Sequence, residues 1–578
     1  MKQILFTFLL ICAFFLAGAE FASEWNVKLL DSSVKELPIL FNEKTDLPGR
    51  NFKLMPDKDL FSVDIAKLTD VKPDGERFAI VTGEILSDRD GTILLGAGAD
   101  YYYMLFVNGK CVSSTMHTGN SAYGENISSE NQMQLVELRK GRNPVRILLR
   151  SGGSGFLFTM APKPLSADRV RKLIPAVGCF MSPVLTLPGT RSAALLFRTE
   201  AKVYAELEYR ESSSGKWRKV LSSEDYAGVY PSDRLYHRFI LKDLVPGKKY
   251  EFRTLLIARN SPMRGPSGKF VFAEDSGKPF SFFTVSDTQY APQNVRKDMQ
   301  SYRENCKTDE CSFFVHLGDV ANLTTSYEKQ YFEPFFDVFS SSRENLKPFV
   351  LVRGNHDLRG SCSSEWVCQF GTAARKGYYA FRYGKYCFIV LDTCEDKDYS
   401  GRPEGPLFLN IPQYLDAERK WLAEYVKSDE FKTAEYRIVF SHAFPHIAMA
   451  GSVERIAGGI LFGKNAYAKI HLWMSGHTHR YQRTVPGSDE CFIIPKRLKG
   501  NKLFSAVDPK LVPFTVVVSD GPNLFPKSTG IRVDCGDTIR VSVCIPDGSL
   551  LDRFEIGKDG QVLKSEPSEK LKKFRMEF

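Results

Sequence analysis

Apolar residues in this chain change their spacing as the sequence proceeds, and each change marks a different kind of structure. From about Glu24 to Leu165 they alternate with polar residues between Gly and Pro punctuation, the two-residue period of half-buried strands. Phe78–Thr82, Thr92–Leu95, Tyr102–Val107 and Pro144–Leu149 are the strands this pattern predicts. Asn108-Gly109 and Lys140-Gly141-Arg142-Asn143 read as hairpin turns, because Asn and Gly tolerate positive φ. A second β-segment, from about Val170 to Ala273, places strands at Ser192–Arg198, Lys202–Tyr209 and Tyr250–Leu256. From about Lys278 short apolar strands alternate with helical stretches, the mark of an α/β domain. Val295, Met299 and Tyr302 share one helix face; Leu415, Leu422 and Val426 share another, with Trp421 and Tyr425 beside it. Both are core stripes. After about Gly548 the chain is strand-like and then Lys/Glu-rich, which predicts a terminal hairpin and a frayed tail.

A chain of 578 residues exceeds what one hydrophobic core serves, so several domains are expected. The expected divisions are a leader over 1–22, a β-sandwich over 23–168, a second β-domain over 169–275, a catalytic α/β domain over 276–548 and a terminal hairpin and tail over 549–578. The leader is read from Lys2, the apolar run Ile4–Leu16 and the small-x-small pattern Ala17-Gly18-Ala19. That run is shorter than the ~20 residues that cross a bilayer. A secreted or periplasmic protein with no membrane span after leader removal is the expectation. Export also changes how the 12 cysteines read: the close spacings of Cys306 with Cys311, Cys362 with Cys368, Cys387 with Cys394 and Cys535 with Cys544 suit structural disulfides of undetermined connectivity. The formal charge of +10, from 78 basic and 68 acidic residues, favours anionic substrates by steering. The charges are interspersed, with no basic block beyond Lys570–Lys573, so nucleic acid is not an expected partner.

The chemistry sits where apolar runs end. Ser281–Ser286 runs into Asp287, Ser312–Gly318 into Asp319, Pro348–Gly354 into Asn355, Tyr436–Ser441 into His442, and Ile470–Gly476 into His477. Loops beyond the carboxyl ends of strands form the ligand crevice of α/β folds, so five apolar strands deliver candidate ligands to one edge. Asp319 offers two oxygens that can bridge two cations. His442, His477 and His479 offer imidazole, which suits Zn, Fe, Mn or Ni better than Mg or Ca. Gln289 and Asn355 add amide oxygens without charge, and Gly354 and Gly476 are expected to turn the chain tightly before a ligand. Two such cations can hold a hydroxide and clamp the oxygens of an in-line displacement at phosphorus. His316 and His471 are expected as packed core histidines. Arg353, His446, Arg480 and Tyr481 adjoin the ligand loops and are candidate substrate contacts.

The ordered tracts Asp287-Thr288-Gln289, Gly318-Asp319, Gly354-Asn355-His356-Asp357, Val439–His442 and Gly476-His477-Thr478-His479 resemble the calcineurin-like metallophosphoesterases, and the layout is most similar to the purple acid phosphatases. The resemblance implies a four-layer α/β/β/α sandwich and two metal ions. One would be held by Asp287, Gln289, Asp319 and His479; the other by Asp319, Asn355, His442 and His477. It also implies that His356 protonates the leaving group or stabilises the phosphate, with Asp357 orienting it. Small phosphorylated substrates are implied too, phosphomonoesters first and phosphodiesters or nucleotides second. Asn322 stands where purple acid phosphatases carry a metal-binding tyrosine, so no tyrosinate charge-transfer band is expected. Gln289 replaces the usual His or Gly, which leaves the metal among Mn, Fe and Zn. The first β-domain resembles galactose-binding-like jelly rolls, through Tyr103–Lys110 and Leu138–Val145. That resemblance leaves a glycan contact open, as does a carbohydrate-binding protein whose hydrolase domain is vestigial. The second, through Phe239–Tyr250, resembles a fibronectin-III-like domain.

Overall fold

The computed structural model describes residues 18–34, 47–116, 127–153, 155–163, 183–212, 215–221, 234–258, 261–272, 277–340, 345–395, 410–446, 451–493, 507–519 and 528–577. The leader read over residues 1–22 lies outside these up to residue 17, as do Cys12 and Cys179. No helix of the described residues is long and apolar enough to cross a membrane.

The alternating pattern of the first segment folds into two antiparallel sheets. The strands Phe78–Ser87, Gly141–Arg150 and Tyr102–Val107 form the middle of one. The strand Gly91–Ala99, paired to Gln132–Leu138 and Leu157–Lys163, forms the heart of the other. Trp25, Phe61, Val81, Ile93, Leu105, Ile147 and Phe158 pack in one cluster with side chains from both sheets. Asn108 and Gly109, at φ 50° and 76°, close the hairpin Tyr102–Val107 to Lys110–Ser114, in line with the sequence. The second predicted turn is different. Gln132–Leu138 belongs to one sheet and Gly141–Arg150 to the other, so residues 139–140 make a corner between sheets. A strand changing sheets needs the same permissive residues as a hairpin, which is why local sequence could not separate the two.

The strands of 184–272 do not stand apart from the α/β region. Val184–Gly189 pairs in parallel with Pro348–Leu351, so one 13-stranded sheet runs from Ser261–Phe272 through the α/β region to Val562–Ser565. Leu195, Phe197, Phe239 and Phe252 share a core cluster with Phe282, Phe313 and Phe440.

Within the α/β region we label β1 (Phe280–Val285), α1 (Pro292–Asn305), β2 (Phe313–His316), β3 (Pro348–Leu351), β4 (Tyr386–Val390), α2 (Ile411–Tyr425), β5 (Tyr436–Phe440), β6 (Leu472–Ser475) and β7 (Thr515–Val518). β1, β2 and β3 are parallel neighbours in the 13-stranded sheet. β4, β5, β6 and β7 are parallel neighbours in a separate eight-stranded sheet. All are buried on both faces, which is why they read as unbroken apolar runs. Successive side chains take opposite sides: Phe282, Ile438, Phe440 and Met474 join one cluster common to both sheets. Phe283 packs with Val295, Met299 and Tyr302 of α1, and Val439 and Trp473 pack with Leu415 and Leu422 of α2. Both predicted stripes are therefore core.

The tail departs from expectation. Beyond the hairpin Leu550–Ile556 and Val562–Ser565, the helix Glu569–Lys572 buries Leu571 and Arg575–Glu577 pairs with Glu490–Ile493. A single buried leucine among charges carries too little periodicity to announce this. The cysteines also differ. The ten described carry free thiols, and Cys306 lies 2.8 Å from Cys544 rather than beside Cys311. Cys387 meets Tyr425, while Cys394 meets Asp392. Closeness in sequence did not translate into closeness in space.

Candidate active site

Three of the five strand ends, those of β1, β2 and β6, hand over to a ligand in a strained turn. Asp287, Asp319, His477 and His479 have φ of 55°, 56°, 77° and 53°, the left-handed region that non-glycine residues seldom adopt outside functional sites. The turning is thus done by the ligands themselves. Gly354 and Gly476 serve close approach instead: a Cβ on Gly354 would lie 2.2 Å from Asp319 Oδ1, and one on Gly476 1.7 Å from Ser286 Oγ.

The side chains converge from both sheets. His442 Nε2 is 3.1 Å from Asp319 Oδ2, and His477 Nδ1 is 3.2 Å from His442 Nε2 and 3.1 Å from Asn355 Oδ1. On the other side His479 Nε2 is 3.3 Å from Asp287 Oδ1, and the Gln289 amide meets Asp319 Oδ2. Among the described residues two groups of donors lie mutually within 4.8 Å, Asp319–His442–His477 and Asp287–Asp319–His479. Asp319 belongs to both. Burial alone would raise its carboxyl, but attraction to His442, with the hydrogen bond between them, holds it below the usual range. His442 moves the other way. Burial opposes its charge, yet Asp319 and Asp287 lift it to about 10. A proton held between two buried ligands marks the place a cation would take, and the mix of carboxylate, amide and imidazole suits a borderline transition metal.

Family comparison agrees with this geometry. Residues 280–481 match the model of the calcineurin-like phosphoesterases. They are a calcineurin-like phosphoesterase domain. The chain is 27% identical over 244 residues to the mouse serine/threonine-protein phosphatase CPPED1, a match spanning 39% of this chain and 75% of that protein. The human protein of the same name is 24% identical over 177 residues, covering 29% and 53% respectively. Among solved structures, the purple acid phosphatase PPD1 of yellow lupin aligns over 84% of this chain and 94% of its own, at 14% identity and a TM-score of 0.43. The chain is a metal-dependent phosphoester hydrolase.

Around the phosphoesterase centre several residues take other duties than the sequence suggested. Asp357 does not touch the His356 ring. Its Oδ2 accepts from the backbone N–H of Gly354 (2.8 Å) and Asp319 (2.9 Å), and its Oδ1 from Val320 N–H (3.1 Å) and the Tyr331 hydroxyl (2.8 Å). It ties two ligand loops together, and burial followed by repulsion from Asp319 pushes it up to about 7. Arg353 is buried, with Nη2 2.5 Å from Asp392. Tyr481 is fully buried and donates to Asp552 at 2.6 Å. His446 is shut from solvent, its imidazole pulled down to about 4 by burial. Arg480 keeps partial exposure. Arg353 and Tyr481, each beside a ligand loop in sequence, are thus paired with buried carboxylates. His316 and His471 are buried as expected; His471 accepts from Arg437 N–H and reaches Lys558 O.

His356 is half-buried, and its Nδ1 lies 3.0 Å from the Asn322 carbonyl, which fixes the proton on Nδ1 and leaves Nε2 as the exchangeable position. Burial depresses its titration, Asp319 opposing. Beside the centre a cavity of about 260 Å³ is lined by Gln289, Tyr290, Asn322 and Leu323 among others. Sequence reasoning passed over Arg359 and Glu395, which pair beside His356. Arg359 comes two positions after the His356-Asp357 motif, the one signal that pointed to it.

Proposed function

We propose that the chain is an exported phosphomonoesterase acting through two metal ions. The observation that carries this reading is Asp319 as the one carboxylate common to two donor groups. Asp287, Gln289 and His479 would complete one site with it; Asn355, His442 and His477 the other. Bound cations there would supply electrophilic pull on phosphoryl oxygens and acidity to a water. The remaining work falls to this chain's own side chains. The left-handed turns hold the donors rigid, Asp357 locks the loops that carry Asp319 and Asn355, and His356 delivers a proton. With Nδ1–H held by Asn322, the doubly protonated ring can give the Nε2 proton to the departing oxygen. Because its titration is depressed, that form is populated at acid pH, and activity should fall as pH rises through it.

The named relatives are serine/threonine-protein phosphatases, and a phosphoserine side chain is itself a phosphomonoester, so phosphopeptides belong among the substrates to try. The layering of α1, the two sheets and α2 supports a four-layer sandwich as the catalytic body, with the strands of 184–272 as the preceding fibronectin-III-like part. The Lys2–Ala19 pattern supports export.

The assay is hydrolysis of 4-nitrophenyl phosphate and its bis ester with Mn, Zn or Fe supplied. Turnover of the monoester, abolished in Asp319→Ala and His477→Ala, is expected. Preference for the diester would move the substrate class, and tight glycan binding with no phosphoester turnover would leave the binding-module reading in its place.

A further inference from the structure

A guanidinium stands over the face of the His356 ring. Arg359 Nη1 lies 3.1 Å from Nδ1 and 3.0 Å from Nε2. An atom so nearly equidistant from both ring nitrogens and lying in the ring plane would overlap ring carbons, so Nη1 sits above the face. Such a contact leaves the in-plane positions of both nitrogens to other partners: Nδ1 keeps the Asn322 carbonyl, and Nε2 keeps its own direction. The guanidinium is itself held. Arg359 Nε donates to Glu395 Oε2 and Nη2 to Oε1, each at 2.8 Å, a bidentate fork that fixes plane as well as position. Both residues are about 5% exposed. Arg359 comes after β3 in one sheet, whereas Glu395 comes after β4 in the other, so the fork spans the two loop systems.

We infer that Arg359, locked by Glu395, is a positioning residue that sets the His356 imidazole for proton delivery to the leaving group. The inference rests on the phosphomonoesterase reading above. A lysine would not reproduce the effect, because it lacks the planar fork that fixes the group over the ring. Nothing in the arrangement requires Arg359 to touch substrate. Its influence passes through the orientation of one ring.

The test separates proton delivery from everything else by comparing a poor leaving group, phenyl phosphate, with a good one, 4-nitrophenyl phosphate, at acid pH on the metal-loaded full chain. His356→Ala should lower kcat on phenyl phosphate by about tenfold or more beyond its effect on 4-nitrophenyl phosphate, because only the poor leaving group depends on a general acid. Arg359→Met and the near-isosteric Glu395→Gln should reproduce that imbalance in part, with metal content by elemental analysis unchanged. In metal-free protein labelled at histidine Cε1, the His356 resonance should shift in both variants while that of His471 stays. Equal losses on the two esters in Arg359→Met and Glu395→Gln, with His356→Ala still discriminating, would overturn the inference alone. A His356→Ala enzyme that does not discriminate would overturn the acid role of His356 and the inference together. If Arg359→Met fails to fold, Glu395→Gln carries the comparison.

Discussion

His442 and Asp319 share a proton in the metal-free protein, and that proton governs how the centre loads. The folded His442 titrates near 10, above the ~6.5 of an exposed imidazole. Its contribution to metal-free stability is therefore complete below about pH 6.5 and disappears as pH rises towards 10. A cation must displace that proton. Apparent metal affinity should climb by about tenfold per pH unit between roughly 6.5 and 9, with about one proton released on binding. Calorimetric titration of Zn or Mn in buffers of different ionisation enthalpy reads both; a flat affinity with no proton release would show that His442 is not a ligand. The same residues were visible in sequence because ligand chemistry restricts residue type. What could not be seen was that Asp287, Asp319, His477 and His479 adopt left-handed backbone, since φ depends on what the surrounding loops impose.

Elements were legible where periodicity was strong and obscure where one pattern serves two geometries. The apolar runs ending at Asp287, Asp319, Asn355, His442 and His477 all became strands, because burial on both faces leaves little room for polar residues. The corner at residues 139–140 and the ordered C-terminal strand escaped, since each depends on distant partners. Tyr481 shows the same limit. Together with Arg483 on Gln482–Thr484, it meets Asp552 on Leu550–Ile556, with Arg483 Nε 2.7 Å from the carboxylate. This buried ion pair joins the eight-stranded sheet to the 13-stranded one. Asp552→Ala should destabilise the protein by about 3–5 kcal/mol, because it strands a buried guanidinium. Thermal unfolding measures this, and a loss within about 0.5 kcal/mol, the range of ordinary surface changes, would mean that Arg483 finds another partner or water.

Across the whole molecule, one sheet runs through the boundary that the apolar pattern suggested near residue 276. The first sandwich has its own core, built from residues between Phe21 and Met160. The strands of 184–272 share theirs with the catalytic region. A chain starting at Ser182 should fold and retain phosphatase activity. One starting at Lys278 would uncover the edge of β3 that pairs with Val184–Gly189, and should be insoluble or inactive. Soluble expression followed by assay decides this, and an active fragment from Lys278 would show that the shared core is dispensable.

By itself the sequence determined the kind of chemistry: ligand types, their order, and their place at the ends of buried strands stem from coordination preference and from hydrophobic burial, both local properties of residues. Only the tertiary structure decided that the five strands belong to two sheets. It also decided that Asp357 binds loops rather than His356, that Arg353 and Tyr481 turn inward, and that Arg359 and Glu395 meet over the His356 ring. Those outcomes depend on contacts between segments far apart in the chain, whose balance of packing and charge no single stretch encodes.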